Sequence, residues 1–189
     1  GPSVGKLVPK VKSTAKILYG IYFFMTVVEI LLLLAGGMPL FDSLATGFGT
    51  AGTGGFGIKN SSIAYYDSYY LQGVITVFMI LFGINFNVYY LFLVHHPKDA
   101  LRCEEARVYL GIIGVTVLLI TLNIRGSFTS LFAAFHHAAF QVASIITTTG
   151  FSTVDFDKWP EFSKGLLVVL MFIGACAGST GGGIKVSRV

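Results

Sequence analysis

Charged residues are scarce in this sequence. Only 12% of its 189 residues are Asp, Glu, Lys or Arg, whereas 54% are hydrophobic. A soluble domain carries roughly 25% charged residues, so the charged surface here is about half of normal. Several apolar runs approach the roughly 20 residues that a helix needs to cross a bilayer. The composition therefore predicts an all-α membrane protein.

Cysteine and metal-ligand patterns are also sparse. The two cysteines, Cys103 and Cys176, are far apart and form no CxxC pair, which argues against a disulfide framework and a zinc site. The four histidines form the adjacent pairs 95–96 and 136–137, without the spacing of metal ligands. We therefore expect them to pack in the core or at an interface and not to bind a metal.

Two glycine patterns resemble nucleotide-binding motifs but are incomplete. The GxGxxG matches at 47–52 and 52–57 have no preceding strand and no βαβ unit around them. In the run from Gly178 to Lys185, Ile184 separates the last glycine from the lysine, so the Walker pattern is broken. The sequence gives no reason to expect an enzyme or a covalently bound cofactor.

Apolar segments alternate with glycine-rich breaks in an order that occurs twice. Each occurrence reads as a span, a short re-entrant helix, an extended stretch and a second span. The predicted spans are Ile17–Ala35, Tyr69–Val94, Val108–Ile124 and a segment from Phe162 onward. The re-entrant helices are predicted at 40–49 and, capped by Ser127 or Thr129, through Ile145. The domains are a basic lead-in at 1–16, a repeat at 17–96, a connector at 97–107 and a second repeat at 108–189.

Lysine and arginine are distributed unequally between the two sides of this topology. The side with the N-terminal lead-in and the connector holds nine of them, and the other side holds four. The richer side is expected to be cytoplasmic. Both re-entrant segments then enter the membrane from outside.

The extended stretches are rich in threonine and glycine. The first contains Thr53, Gly54 and Gly55, and the second contains Thr148, Thr149 and Gly150. Irregular backbone at membrane depth must be buried in protein or line a wet cavity. Rings of backbone carbonyls replace the hydration shell of an alkali cation, so we predict cation-binding carbonyls at these six residues, with positive φ at Gly55 and Gly150. The alternative is a helix-breaking loop between packed spans.

A run of small residues, 174–183, interrupts the last apolar segment. Consecutive glycines weaken a helix by about 1 kcal/mol each relative to alanine, so we predict an unwound segment that could obstruct a pore and move aside. Close helix packing through small residues is the alternative. The proposed gating residues are Gly174, Gly178, Ser179, Thr180, Gly181, Gly182 and Gly183.

Glu29 is the only acidic residue within the first predicted span. An acid at membrane depth is a candidate functional residue. A buried hydrogen-bonding strut between helices is the interpretation that we favour.

Three segments resemble the TrkH/TrkG–KtrB superfamily of bacterial potassium-uptake proteins. They are Thr-Gly-Gly-Phe-Gly at 53–57, Thr-Thr-Gly-Phe-Ser at 148–152 and Ala-Gly-Ser-Thr-Gly-Gly-Gly-Ile-Lys-Val at 177–186. The resemblance implies four span–loop–span repeats around one pore in a bacterial inner membrane, with Gly55 and Gly150 as filter glycines and 174–183 as an intramembrane gating loop. It also implies a homodimer on a cytosolic nucleotide-binding ring.

Two loops are present where the family's pore has four, so we interpret the chain as an internal segment carrying repeats two and three. Its partners would be the lipid bilayer and the two remaining repeats of the same protein. The expected function is potassium uptake through a channel-like pore. Potassium could enter by symport, and the sequence does not indicate whether protons or sodium would be the coupled ion. The rival hypothesis is a non-conducting membrane subunit or scaffold whose loops only pack against a partner.

Overall fold

The computed structural model describes residues 4–52, 63, 66–94 and 96–179. Every regular element in these ranges is a helix, as the composition predicts. The α-helices are α1 (Val4–Ala35), α2 (Leu40–Ala51), α3 (Tyr69–Gly83), α4 (Phe86–Leu93), α5 (Pro97–Leu101), α6 (Glu104–Ile124), α7 (Leu131–Ile146) and α8 (Glu161–Ser179). Short 3-10 turns lie at Arg125–Ser127 and Phe156–Lys158.

Two of the described helical segments are long and apolar enough to cross a membrane. They are Ala15–Ala35 within α1 and Glu104–Ser127, which joins α6 to the following 3-10 turn. The first agrees with the predicted span at 17–35. The second begins four residues before the predicted start at Val108, because Glu104 and Glu105 occupy the first turn, where acidic side chains favour the positive end of the helix dipole.

The predicted span at 69–94 is not one continuous helix, because it is divided into α3 and α4. Ile84 has extended dihedral angles, and the chain turns there between α3 and α4. Two tyrosine hydroxyls donate hydrogen bonds to carbonyl oxygens that would accept from backbone N–H groups if the helix continued. Tyr109 donates to Ile80 O at 3.0 Å, and Tyr89 donates to Leu81 O at 2.6 Å. These contacts stabilise the break.

The helices pack as two groups, and the main contact between them is that of α3 with α7. In the first group α1, α2 and α3 contact one another, and in the second α6, α7 and α8 do so. The contact between α3 and α7 connects the groups, with Ile75 and Met79 of α3 in one buried cluster with Phe140 and Ala143 of α7. The grouping is consistent with two span–loop–span repeats, although the boundaries at 17–96 and 108–189 remain predictions.

The start of α7 differs by one residue from the nearer of the predicted caps. Ser130 is the N-cap, and its Oγ accepts a hydrogen bond from Ala133 N at 3.0 Å. Ser127 instead lies in the 3-10 turn that follows α6. The turn extends the preceding helix to Ser127, so the extended backbone that a cap requires is available only further along.

Replacing Ser130 with alanine is expected to destabilise the full-length protein by about 1 kcal/mol, because the capping acceptor is lost. The measurement is the midpoint of thermal denaturation in detergent. Ser127→Ala is the matched control, since Ser127 is exposed and is not the N-cap. Equal midpoints for the two variants would contradict the assignment of the cap.

Candidate cation site

The backbone that follows α7 leaves helical geometry within two residues. Thr147 is still close to helical, and its N–H donates to Ala143 O at 3.2 Å. Thr148 then has φ +57° and Gly150 has φ +88°. The predicted positive φ at Gly150 is confirmed. The positive φ at Thr148 was not predicted, because β-branched residues rarely adopt it.

Ser144 folds the extended stretch back onto the helix. Its side chain is fully buried, and its Oγ donates to Phe151 O at 2.6 Å. Its own carbonyl accepts from Thr149 N at 2.9 Å and from Gly150 N at 3.4 Å. One serine therefore holds both ends of the stretch, and it sets the path of the backbone between them.

Three consecutive carbonyl groups on this path have no donor. Among the residues that the structure describes, no N–H or O–H donates to the carbonyl oxygens of Thr148, Thr149 or Gly150. The carbonyls on either side are occupied, since Thr147 O accepts from Thr148 Oγ1 at 2.6 Å and Phe151 O accepts from Ser144. Carbonyls at the C-terminal end of a helix dipole carry partial negative charge, which favours a cation.

The threonine side chains of the stretch bond within the protein. Thr149 is fully buried, and its Oγ1 lies 2.7 Å from Thr147 Oγ1. Thr147 Oγ1 also donates to Ala143 O at 2.6 Å. These side chains fix the backbone, so the oxygens left for a ligand are the backbone carbonyls.

A polar cluster, made of Tyr69, Gln72, His136, His137 and Thr153, lies at the start of α7 and joins the two helix groups. His136 Nε2 lies 2.7 Å from Gln72 Oε1 on α3, and its ring stacks on Tyr69 at a centroid distance of 4.2 Å. His137 Nδ1 lies 2.9 Å from Thr153 Oγ1. The histidines pack as expected. Gln72 was missed, although a lone glutamine within the apolar run 69–94 is a signal that could have found it.

The end of α2 approaches the second stretch. A Cβ atom placed on Gly49 would lie 3.1 Å from the ring of Phe151, which is itself buried. Thr53, Gly54 and Gly55, whose carbonyl oxygens are predicted to bind the cation, lie outside the described residues. They are only a few positions beyond α2 in the sequence. The structure therefore places the C-terminal part of α2 beside the side chain of Phe151, the residue that follows the 148–150 stretch.

Glu29 is fully buried on α1 and contacts the last turn of α2. Thr50 Oγ1 lies 3.0 Å from Glu29 Oε2 and 2.7 Å from Thr46 O. Glu29 Oε1 is buried and has no hydrogen-bond partner among the described residues. The contact joins two helices, as the strut interpretation expects.

The small-residue run at 174–183 is more helical than predicted. Helix α8 continues through Gly174, Gly178 and Ser179, so the expectation of an unwound segment is wrong for 174–179. The reason lies in packing: a Cβ on Gly174 would lie 3.0 Å from Ile146 O and 3.1 Å from Thr148 Cγ2. Tertiary contact offsets the weak helix propensity of glycine. The other proposed gating residues, Thr180 to Gly183, lie outside the described residues.

Fold and site together define an all-helical membrane protein whose buried short helix leads into free backbone carbonyls. The family model for TrkH, described as a cation transport protein, matches residues 3–133 and 126–189. The chain belongs to this family.

Relatives of known name agree with this assignment. The chain is 36% identical, over 97% of its length, to the Trk system potassium uptake protein TrkH of Vibrio parahaemolyticus, of which it covers 39%. It is 37% identical to TrkH and 32% identical to TrkG of Escherichia coli K12, covering 39% and 38% of them. It therefore spans about two fifths of the length of these relatives.

A solved structure supports the same fold. The crystal structure of the potassium transporter TrkH from Vibrio parahaemolyticus matches with a TM-score of 0.83 and 37% sequence identity, covering 95% of this chain and 40% of that one.

Proposed function

We propose that the full-length protein containing this chain takes up potassium ions through a channel-like pore, and that residues 148–150 form part of its selectivity filter. The relatives are named as potassium uptake proteins, and they supply the identity of the ion. The observation that carries the proposal for this chain is the set of three carbonyls at Thr148, Thr149 and Gly150, to which no group among the described residues donates.

The physical argument concerns hydration. A potassium ion sheds water only where oxygen atoms at fixed positions replace it. Ser144 and the Thr147–Thr149 pair fix the backbone of the stretch. The partial negative charge at the end of α7 adds a favourable field. Thr53, Gly54 and Gly55 would supply the matching oxygens after α2.

The assembly proposed around this chain follows the family. The two further span–loop–span repeats of the same protein would close the pore, and the whole would lie in the bacterial inner membrane as a homodimer on a cytosolic nucleotide-binding ring. The part of the predicted gating run that follows α8, residues 180–183, would obstruct the pore from the cytoplasmic side and move aside on opening.

Flux measurements test the proposal directly. The full-length protein, reconstituted in lipid vesicles, is expected to pass potassium at least about tenfold faster than sodium, since carbonyl number and geometry discriminate the two ions. Vesicles without protein give the background. Potassium flux equal to that background would refute the pore and favour the scaffold hypothesis.

A further inference from the structure

In the contact between Glu29 and Thr50, two acceptor oxygens lie within hydrogen-bond distance of one hydroxyl group. Thr50 Oγ1 lies 3.0 Å from Glu29 Oε2 and 2.7 Å from Thr46 O. A hydroxyl group carries one proton, so Thr50 can donate fully to only one of these two oxygens. If Glu29 is ionised, one of the two acceptor oxygens is therefore left without a full hydrogen bond.

The surroundings of Glu29 disfavour a charge. Glu29 and Thr50 are both fully buried, and Oε1 has no partner among the described residues. No lysine or arginine in this part of the structure pairs with the carboxyl group. An isolated buried charge costs several kcal/mol, whereas a neutral carboxyl is far less costly. A protonated Glu29 would donate to Thr50 Oγ1, which would then donate to Thr46 O.

The position of Thr50 gives this chain of hydrogen bonds a functional meaning. Thr50 is in the last turn of α2, and Gly52 caps that helix. The residues whose carbonyl oxygens are predicted to bind the cation begin at Thr53, the next residue in the sequence. Glu29 thus connects a membrane span to the last turn of the helix that precedes the predicted cation-binding residues.

We propose that Glu29 is a positioning residue for the cation pathway, acting as a neutral carboxylic acid that fixes the C-terminal turn of α2 through Thr50. This inference rests on the proposed function. It assigns Glu29 no contact with the ion. Its effect is on the ratio of potassium to sodium flux, because that ratio depends on where the carbonyls lie.

Four variants of the full-length protein test the proposal in vesicles. Glu29→Gln supplies a neutral donor to Thr50, and Thr50→Ser keeps the hydroxyl, so both are expected to hold the potassium-to-sodium flux ratio within about twofold of the unmodified protein. Glu29→Leu and Thr50→Val remove one side of the contact and are expected to lower the ratio at least about fivefold.

The double variant and a matched control separate positioning from general stability. Glu29→Leu combined with Thr50→Val is expected to lower the ratio no further than either change alone, because both remove the same interaction. Thr121→Val is the control, since Thr121 on α6 is buried and donates to Val117 O at 2.6 Å within its own helix. Its flux ratio is expected to be unchanged.

Several results would overturn the inference. Potassium and sodium fluxes that fall together at a constant ratio in Glu29→Leu would reduce Glu29 to a structural strut. A ratio lowered about fivefold in Glu29→Gln would show that the charge is required. Should the leucine variant fail to fold, Thr50→Val still removes the contact, and an unchanged flux ratio in that variant would overturn the inference. No potassium flux in the unmodified protein would refute the proposed function itself, which is a separate result.

Discussion

Replacing Gly150 with alanine in the full-length protein is expected to lower the potassium-to-sodium flux ratio by at least about tenfold. Gly150 has φ +88°, where a Cβ atom costs an L-residue about 1–2 kcal/mol. An energy of about 1.4 kcal/mol corresponds to a factor of ten. The stretch would relieve the strain by rotating the backbone, and the free carbonyls of residues 148–150 would move with it.

The control for this change is Gly126→Ala. Gly126 is exposed, has no positive φ, and has open space where a Cβ would be placed. Both proteins are reconstituted at equal amounts, and potassium and sodium fluxes are measured in parallel. An unchanged ratio in Gly150→Ala, with potassium flux retained, would remove the 148–150 stretch from the filter.

Replacing Gly174 with leucine is expected to reduce potassium flux at least about tenfold. A Cβ at this position would lie 3.0 Å from Ile146 O and 3.3 Å from Ile145 O. These are backbone atoms of a buried helix end and cannot rotate away as a side chain would. Overpacking of this kind costs about 1–3 kcal/mol and would push α8 away from α7, displacing Thr148.

Gly165→Leu on the same helix is the matched control. Gly165 is exposed and has open space around its Cβ position, so flux is expected to stay within about twofold of the unmodified protein. Size-exclusion profiles of both variants check that they fold. Full flux in Gly174→Leu would mean that α8 and the 148–150 stretch move independently.

Local chemistry made part of this fold predictable. Long apolar runs indicated helices in a membrane. The glycine after three consecutive threonines indicated positive φ at Gly150, because few other residues tolerate a positive φ. The stretches and Glu29 could be singled out because polar residues are rare in such runs. These features depend on single residues and their immediate neighbours.

Long-range contacts made the rest unpredictable. The break after Gly83 is stabilised by the hydroxyls of Tyr89 on α4 and Tyr109 on α6, and the apolar pattern of the run 69–94 does not indicate which carbonyls these hydroxyls contact. The helical course of Gly174 depends on its packing against α7, which outweighs glycine's poor propensity. Positive φ at Thr148 likewise follows from a backbone that is held at Ser144, not from threonine's own preference.

The pairing of His136 with Gln72 has a consequence for biosynthesis. The two residues are 64 positions apart in the chain, and α3 is made before α7. At about 5–20 residues per second, ribosomes need roughly 3–13 s to supply the histidine. Throughout that interval the amide oxygen of Gln72 lacks its native partner, although its nitrogen can already bind Tyr66 O. The insertion machinery must therefore keep this end of α3 hydrated, or in contact with polar groups of its own, until α7 arrives.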